Sequence, residues 1–311
     1  MDLSALRIFI CVGRLGSFSK ASVALGVAQP TVSRVVGELE RHFGGPLFYR
    51  TGRGVTLTDM GETALLRAQA LVREADQLIE DIHSFRCAPS GLVILGVLPS
   101  TVTPLVADLH VKLLATFPNI RLRVLEGFSD QIERWLSEGV VDVGLPSHYR
   151  PGNRTEDDVL LHANLVLVAG PDAPPLPEQI AFDAVARLPL VLAADPNGLR
   201  VLVEDVARRR GVSLNVAVET NSLAAQRDLV RRCGYYTIMA PEAVAADNPS
   251  GRLSTSAIVK PVLPRRVVLA VSRQRPLSRA SRAVLQTLKA VANQSLQAGA
   301  APPENSVSER M

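Results

Sequence analysis

Cysteine is scarce in this sequence, with Cys11, Cys87 and Cys233 the only three among 311 residues. So few and so scattered, they exclude a disulfide framework and a cysteine-built metal cluster, and their odd number fits buried thiols in a reducing compartment. The five histidines (His42, His83, His110, His148, His162) lack metal-binding spacing. A Gly-x-Ser-x-Gly elbow is missing, and Gly52 and Gly54 lack the strand-to-helix setting of a nucleotide loop. These gaps argue against the commoner enzyme plans, and no cofactor is implied. No apolar run is long enough to cross a bilayer, and no apolar segment with a cleavage site follows the opening residues 1–7, so a cytoplasmic protein with no membrane partner is expected. Length and a hydrophobic content of 47% predict two or three domains.

Charge is modest in total, at a formal +4, but unevenly placed. Residues 1–58 hold seven basic side chains (Arg7, Arg14, Lys20, Arg34, Arg41, Arg50, Arg53) against three acids (Asp2, Glu38, Glu40). A compact segment carrying the whole excess suits a phosphate-binding module, because neutralised DNA phosphates release counterions. Leu3, Leu6, Phe9 and Ile10 recur at helical spacing, predicting a helix over 2–14 that Gly13 and Gly16 help to end. Ser17 reads as the N-cap of a short helix carrying Ala21, Val23, Ala24 and Leu25, and Gly26 permits a tight turn after it. In a third helix Val32, Val35, Val36, Leu39 and Phe43 form one apolar stripe, leaving Pro30, Thr31, Ser33, Arg34 and Arg41 outward. This pattern describes a helix-turn-helix, although a small helical bundle with a solvated face has the same periodicity.

The next residues favour the first reading. Gly44 and Gly45 end the helix, and residues 46–50 and 55–57 are strand-like around Thr51-Gly52-Arg53-Gly54. Such a hairpin carries Arg50 and Arg53, and can set an arginine against phosphates or into the minor groove while the helix enters the major groove. The run GSFSKASVALGVAQPTVSRVVGELERHFGGPLFYRTGRGVTLTDMGE resembles the DNA-binding domain of LysR-type transcriptional regulators along its whole length. Gly16-Ser17-Phe18, Ala21, Gln29-Pro30, Ser33-Arg34, Leu39-Glu40, Gly44, Leu47-Phe48, Arg50 and Leu57-Thr58 carry the match. The resemblance implies a winged helix-turn-helix over 1–58 with Gln29, Pro30, Thr31, Ser33 and Arg34 at the groove and Arg53 on the wing. Ser17, Lys20 and Arg50 complete the expected DNA-facing set. Two positions depart from the family. Ala28 stands where a capping serine is usual, a loss worth ~1 kcal/mol, and Gly37 sits mid-helix at a usually larger polar position.

From Asp59 to Pro89 the chain has no proline, and Ala64, Ala68, Leu71, Ala75, Leu78, Ile82 and Phe85 alternate at steps of four and three. This is a coiled-coil seam on a helix over 59–87, which either packs on its own chain or pairs with a second copy. Pairing is the preferred reading, since a dimer sets two recognition helices on two half-sites. In the family this helix is the dimerisation element.

After a hinge at 88–91 the pattern changes to strands alternating with helices. Strands are predicted at 92–97, 120–126 and 141–145, with helices at 103–117 and 131–138 between them. A second unit follows, with strands at 163–169, 190–194, 214–219 and 236–240 and helices at 199–210 and 223–233. A strand at 267–272 and a helix at 278–297 return to the first unit, and 298–311 reads as a disordered tail. An open α/β sheet binds ligands beyond the carboxyl ends of its strands. Those ends carry Pro99-Ser100-Thr101, Gly127-Phe128-Ser129 and Pro146-Ser147-His148, hydroxyls and backbone N–H groups suited to an anion.

LRVLEGFSDQIERWLSEGVVDVGL resembles the first subdomain of the LysR effector domain, through Glu126, Gly127, Leu136, Gly139 and Asp142. Asn197-Gly198-Leu199-Arg200 and Gly234-Tyr235-Tyr236-Thr237 match the second half. The resemblance implies a two-subdomain α/β effector domain over 92–297, like periplasmic binding proteins, with subdomain I at about 92–162 and 267–297 and subdomain II at about 163–266. Ser100, Thr101 and Ser129 would hold the effector from one side, with Phe128, Pro146 and Ser147 beside them. Asn197, Arg200 and Asn221 would hold it from the other. Each serine or threonine is equally well explained as a helix cap.

The sequence therefore predicts a regulator and not an enzyme: an α/β chain with an N-terminal winged helix-turn-helix, binding double-stranded promoter DNA and a small anionic organic effector. Expected partners are a second copy in a homodimer that pairs into a tetramer, and RNA polymerase if the protein is an activator. A pure solute receptor explains the second half equally well but leaves the basic N-terminus unexplained. Turnover of a bound small molecule, or redox sensing through Cys233, are the other readings the residues leave open.

Overall fold

The computed structural model describes residues 2–51, 54–84, 88–149, 159–245, 253–274 and 276–298. They fall into two compact units, Met1–Ala88 and Pro89–Met311.

In the first unit α1 (Leu3–Leu15), α2 (Phe18–Leu25) and α3 (Gln29–Phe43) precede β1 (Phe48–Thr51), β2 (Gly54–Leu57) and α4 (Asp59–Ser84). Caps set the first boundaries. Asp2 accepts the N–H of Ala5 at 2.7 Å and Ser17 that of Lys20 at 3.3 Å, while Gly16 and Gly26 close the helices in the left-handed region that a Cβ disfavours. No side chain caps α3 at Ala28, as the departure from the family pattern predicts.

The core joins all three short helices to the hairpin: Phe9, Val32, Val36, Leu39 and Leu47 are buried together, and Phe9 and Phe18 meet Phe48 edge-on at 5.5 and 5.9 Å. Within the predicted α3 stripe Val35 is only half-buried and Phe43 is exposed. The predicted seam of α4 divides. Ala68 joins the core and Ala64 packs against it, whereas Leu71, Leu78 and Ile82 are exposed; Phe85 lies outside the described residues.

The second unit begins with β3 (Gly91–Val97), α5 (Pro99–Thr116), β4 (Ile120–Glu126), α6 (Ser129–Ser137), β5 (Val143–Gly144), β6 (Ser147–His148) and β7 (Val159–Asn164). It continues with β8 (Val166–Ala169), β9 (Gln179–Ala181), α7 (Phe182–Val185), β10 (Leu190–Leu192), α8 (Gly198–Arg210), β11 (Val216–Glu219), α9 (Leu223–Cys233) and β12 (Tyr236–Met239). It closes with α10 (Pro241–Ala245), β13 (Ser254–Val259), β14 (Pro264–Val268), β15 (Ala270–Val271) and α11 (Arg279–Ala298).

Three sheets result, ordered β15-β5-β3-β4, β6-β14-β7 and β11-β10-β12-β8-β13-β9. Two separate cores define two lobes. Lobe I gathers Leu95, Leu105, Leu109, Ile132 and Val284; lobe II gathers Leu167, Phe182, Leu190, Val203 and Ile238. The chain passes between them at Leu165 and near Leu263, both fully buried, where the Leu165 N–H donates to the Leu263 carbonyl at 2.9 Å.

Several predicted strands are cut differently. The run 163–169 is two strands in two sheets, broken at Leu165, and 267–272 likewise divides into the ends of β14 and β15. The pairing of β14 with β7 shifts register between Val267 and Val268, a local irregularity where the run changes sheet. The strand expected at 141–145 shortens to Val143–Gly144. Helix α5 begins four residues before its predicted start, because Pro99 has the fixed φ and missing donor that suit a first helical turn. Beyond Ala298 the tail lies outside the described residues. No described helix is long and apolar enough to cross a membrane.

Candidate DNA-binding face and ligand cleft

The outward face of α3 begins at its first turn. Gln29, Pro30, Thr31 and Arg34 are exposed and Ser33 is half-buried. Arg34 pairs with Glu38 at 2.6 Å while 65% exposed, a solvated pair that costs little to exchange for a phosphate or a base edge. One turn on, nothing lies within 4 Å of the position a Gly37 Cβ would occupy, so this face is flat and open. Ser17 is engaged as a cap and Lys20 is exposed on the first turn of α2. The side chain of Arg50 and the whole of Arg53 lie outside the described residues.

Behind this face the hairpin is locked to the helices. The Glu40 carboxylate accepts the N–H groups of Leu47 at 2.8 Å and Phe48 at 3.4 Å, tying α3 to β1. Thr58 donates to the Pro46 carbonyl at 2.8 Å and accepts from the Gly61 N–H at 2.9 Å. A Cβ on Gly61 would stand 2.1 Å from the Leu47 carbonyl oxygen, so only glycine allows α4 to approach the strand this closely.

In the second unit a cavity open to solvent lies between the lobes. Ser100, Phe128, Asn197 and Asn221 of the predicted set line it. They arrive there because four helices, α5, α6, α8 and α9, start at its edge: Leu98, Phe128 and Asn197 are the caps of the first three, and Asn221 immediately precedes the Ser222 cap of the fourth. The rest of the wall is mainly aliphatic, from Leu98, Leu165, Leu199, Leu223, Ile238 and Met239.

The other predicted residues do not line this cavity. Thr101 is fully buried and its hydroxyl donates to the Leu98 carbonyl at 3.1 Å, within its own helix turn. Ser129 accepts the Ser147 N–H at 2.9 Å, and Pro146 and Ser147 are buried behind the wall. Arg200 faces Glu204 at 2.6 Å and Glu219 at 2.9 Å with its side chain 11% exposed, so it braces lobe II.

The cation at the cleft is one the sequence reading missed. Arg265, on β14, donates from Nε to Ser147 Oγ and from Nη2 to Ser100 Oγ, each at 2.7 Å, and from Nη1 to Glu242 Oε1. A single guanidinium thus connects α5 of lobe I, β6, and α10 of lobe II. Glu242 is buried and its Oε2 has no hydrogen-bond partner among the described residues. Tyr149 shares the wall; burial pushes its phenol pKa up, with Arg265 opposing. A signal for Arg265 was present: Arg265 and Arg266 are consecutive in an apolar strand, where side chains alternate, so one of the two must turn inward.

Three amide side chains around the cavity have fixed orientations. Asn197 Oδ1 accepts the Leu199 N–H at 2.9 Å, Asn221 Oδ1 accepts the Ala194 N–H at 3.1 Å, and Gln226 Nε2 donates to the Thr220 carbonyl at 2.8 Å. A backbone N–H can only donate, so in both asparagines the oxygen is engaged and the NH2 is left over. Among the described residues no group of His, Cys, Asp or Glu could hold a metal ion.

Two family models match the chain. Residues 3–62 fit the bacterial regulatory helix-turn-helix protein of the lysR family, and residues 88–293 fit the LysR substrate binding domain. A probable nitrogen assimilation transcriptional activator of Synechococcus elongatus is 30% identical over 88% of this chain and 90% of its own length. Among solved structures, a full-length OxyR variant from Pseudomonas aeruginosa superposes with a TM-score of 0.67 at 22% identity, covering 95% of each chain. Full-length CbnR complexed with its target DNA gives a TM-score of 0.68 at 16% identity, covering 94% of this chain and all of that one. At these identities the two structures bear on fold alone. The helix-turn-helix, the two-lobed second unit and both family matches make this chain a member of the LysR family of DNA-binding transcriptional regulators, with a C-terminal substrate-binding domain.

Proposed function

We propose that this regulator works in the cytoplasm as a homodimer that pairs into a tetramer, and that it reads promoter DNA and answers to a small anionic organic effector held between its lobes. The observation that carries the effector reading is the convergence of four helix N-termini on one cavity. Each brings the positive end of a helix dipole, a field that favours a bound anion. Ser100, Phe128, Asn197 and Asn221 would touch the effector, while Thr101, Ser129, Pro146, Ser147 and Arg200 hold the wall in place.

At the DNA, Gln29, Pro30, Thr31, Ser33 and Arg34 would face the groove, with Ser17, Lys20, Arg50 and Arg53 on the phosphates. The uncapped first turn of α3 and its flat outward face support this reading. Leu71, Leu78, Ile79 and Ile82 form an exposed apolar stripe on α4, the face on which a second copy would pack. Effector binding would change how paired subunits are arranged, and so their contacts with the promoter or with RNA polymerase. The direct test is a gel-shift titration of the full chain on DNA upstream of its own gene at low salt, with sedimentation to size the protein. Retarded DNA and a dimer or tetramer are expected; free DNA throughout, or a monomer, refutes the reading.

A further inference from the structure

The polar groups facing the cleft are lopsided. The NH2 groups of Asn197 and Asn221 have no partner among the described residues, since each amide is held by its oxygen. Ser100 accepts from Arg265 and keeps its own hydrogen to give. Facing these donors is one uncommitted side-chain acceptor, Gln226 Oε1, whose amide is anchored through its nitrogen. Arg265 lines the cavity too, but its charge is already matched by Glu242, whose second oxygen has no hydrogen-bond partner among the described residues and would repel an anion placed on the guanidinium. The remaining wall is aliphatic and aromatic, with the Tyr149 phenol hydrogen-bonded to Ser147 and Arg265.

We infer that the effector is an amphipathic monoanion: one carboxylate or sulfonate head on Asn197, Asn221 and Ser100, with an apolar body against Leu165, Leu199, Leu223 and Ile238. The inference rests on the reading that this cleft is the effector site. Neutral donors suffice for one ion, because each hydrogen bond to it is charge-assisted and the helix ends add their dipoles. Among the described residues that line the cavity a second carboxylate meets no unmatched cation and an ammonium meets no acid, so either would be stripped of water against hydrocarbon. Dicarboxylates and zwitterionic amino acids are thereby selected against. The head also spans the lobes, since Ser100 belongs to lobe I and both asparagines to lobe II.

The test is thermal unfolding of the full chain with benzoate, hexanoate, hexanesulfonate, succinate or leucine at equal millimolar concentration. Benzoate, hexanoate or hexanesulfonate should raise the melting temperature, with succinate and leucine without effect; the carboxylate and sulfonate arms tell the two heads apart. Asn197→Asp and Asn221→Asp keep the oxygen that accepts the backbone N–H but turn the donor into a repelling oxygen. Both should melt like the wild type without ligand and lose about tenfold or more in affinity for the anion. A shift with succinate or leucine that matches the monoanions and disappears in Asn197→Asp overturns the ligand class and leaves the cleft standing. Shifts with the monoanions that persist in both variants overturn the cleft reading itself. Silence of all three monoanions on the wild type overturns the class.

Discussion

The Arg265–Glu242 pair allows a sharp test of how lobes I and II are held together. The two side chains are 3% and 1% exposed, so neither can recover water if the other is removed. Glu242→Leu would leave the guanidinium with two serine hydroxyls and no counter-charge, a loss of ~3–5 kcal/mol for breaking a buried pair from one side. Arg265→Met should cost a similar amount, because the Glu242 carboxylate is then buried with no side-chain partner among the described residues. The double variant removes both charges and leaves mainly the hydroxyls of Ser100 and Ser147 to find new partners, about 1 kcal/mol each. It should therefore be more stable than either single variant, with a coupling of at least ~2 kcal/mol. Urea unfolding of the four proteins gives the cycle. The chain's single tryptophan, Trp135, packs partly buried against the lobe I core and reports the transition by fluorescence. Additivity of the two single losses within ~0.5 kcal/mol would sink the argument, since independent sites add to that precision.

Arg34→Ala should weaken promoter binding by ~1–3 kcal/mol if the side chain reaches a base edge, with little change in stability because its partner Glu38 is well solvated; unchanged affinity in a gel shift removes Arg34 from the interface. Glu40→Ala strips the acceptor from two backbone N–H groups, one of them on fully buried Leu47, and should lower the stability of the first unit by ~1–3 kcal/mol. Calorimetry showing no loss would mean that these donors find other acceptors. Gly37→Ala should stabilise α3 by ~0.5–1 kcal/mol, as open space surrounds the new methyl group; a lower melting temperature contradicts this.

Local signals carried much of the fold. Helix α9 runs over the predicted 223–233, between its Ser222 cap and Gly234 at φ +68°, and α1 and α2 run between the Asp2 and Ser17 caps and the glycines that close them. Strand limits fared worse. An apolar run such as 163–169 is continuous in composition, and nothing in it marks Leu165 as the residue where the backbone leaves one sheet for another. Strand β13 and the short β6, β9, α7 and α10 were not foreseen, being fixed by neighbours distant in sequence.

The candidate site divides in the same way. Ser100, Phe128, Asn197 and Asn221 were legible because they stand at strand ends or helix starts, which the topology brings to one cleft. Arg200 belonged to the same segment, yet Glu204 one turn later and Glu219 on β11 hold it, and the first of these partners was visible as an i,i+4 spacing. Strand alternation marks one of Arg265 and Arg266 as inward, but the partners of Arg265, Ser100 on α5 and Glu242 on α10, are distant in sequence and no local pattern records them.

The paired passages at Leu165 and Leu263 have a mechanical consequence. Two backbone segments side by side, joined by one N–H to carbonyl bond between fully buried leucines, form a narrow axle. Torsion about it asks only a few dihedrals to change, whereas sliding one half past the other would break that bond and drag both leucines out of the lobe II core. The halves should therefore open and shut as the covers of a book, carrying the starts of α5 and α6 on one board and those of α8 and α9 on the other.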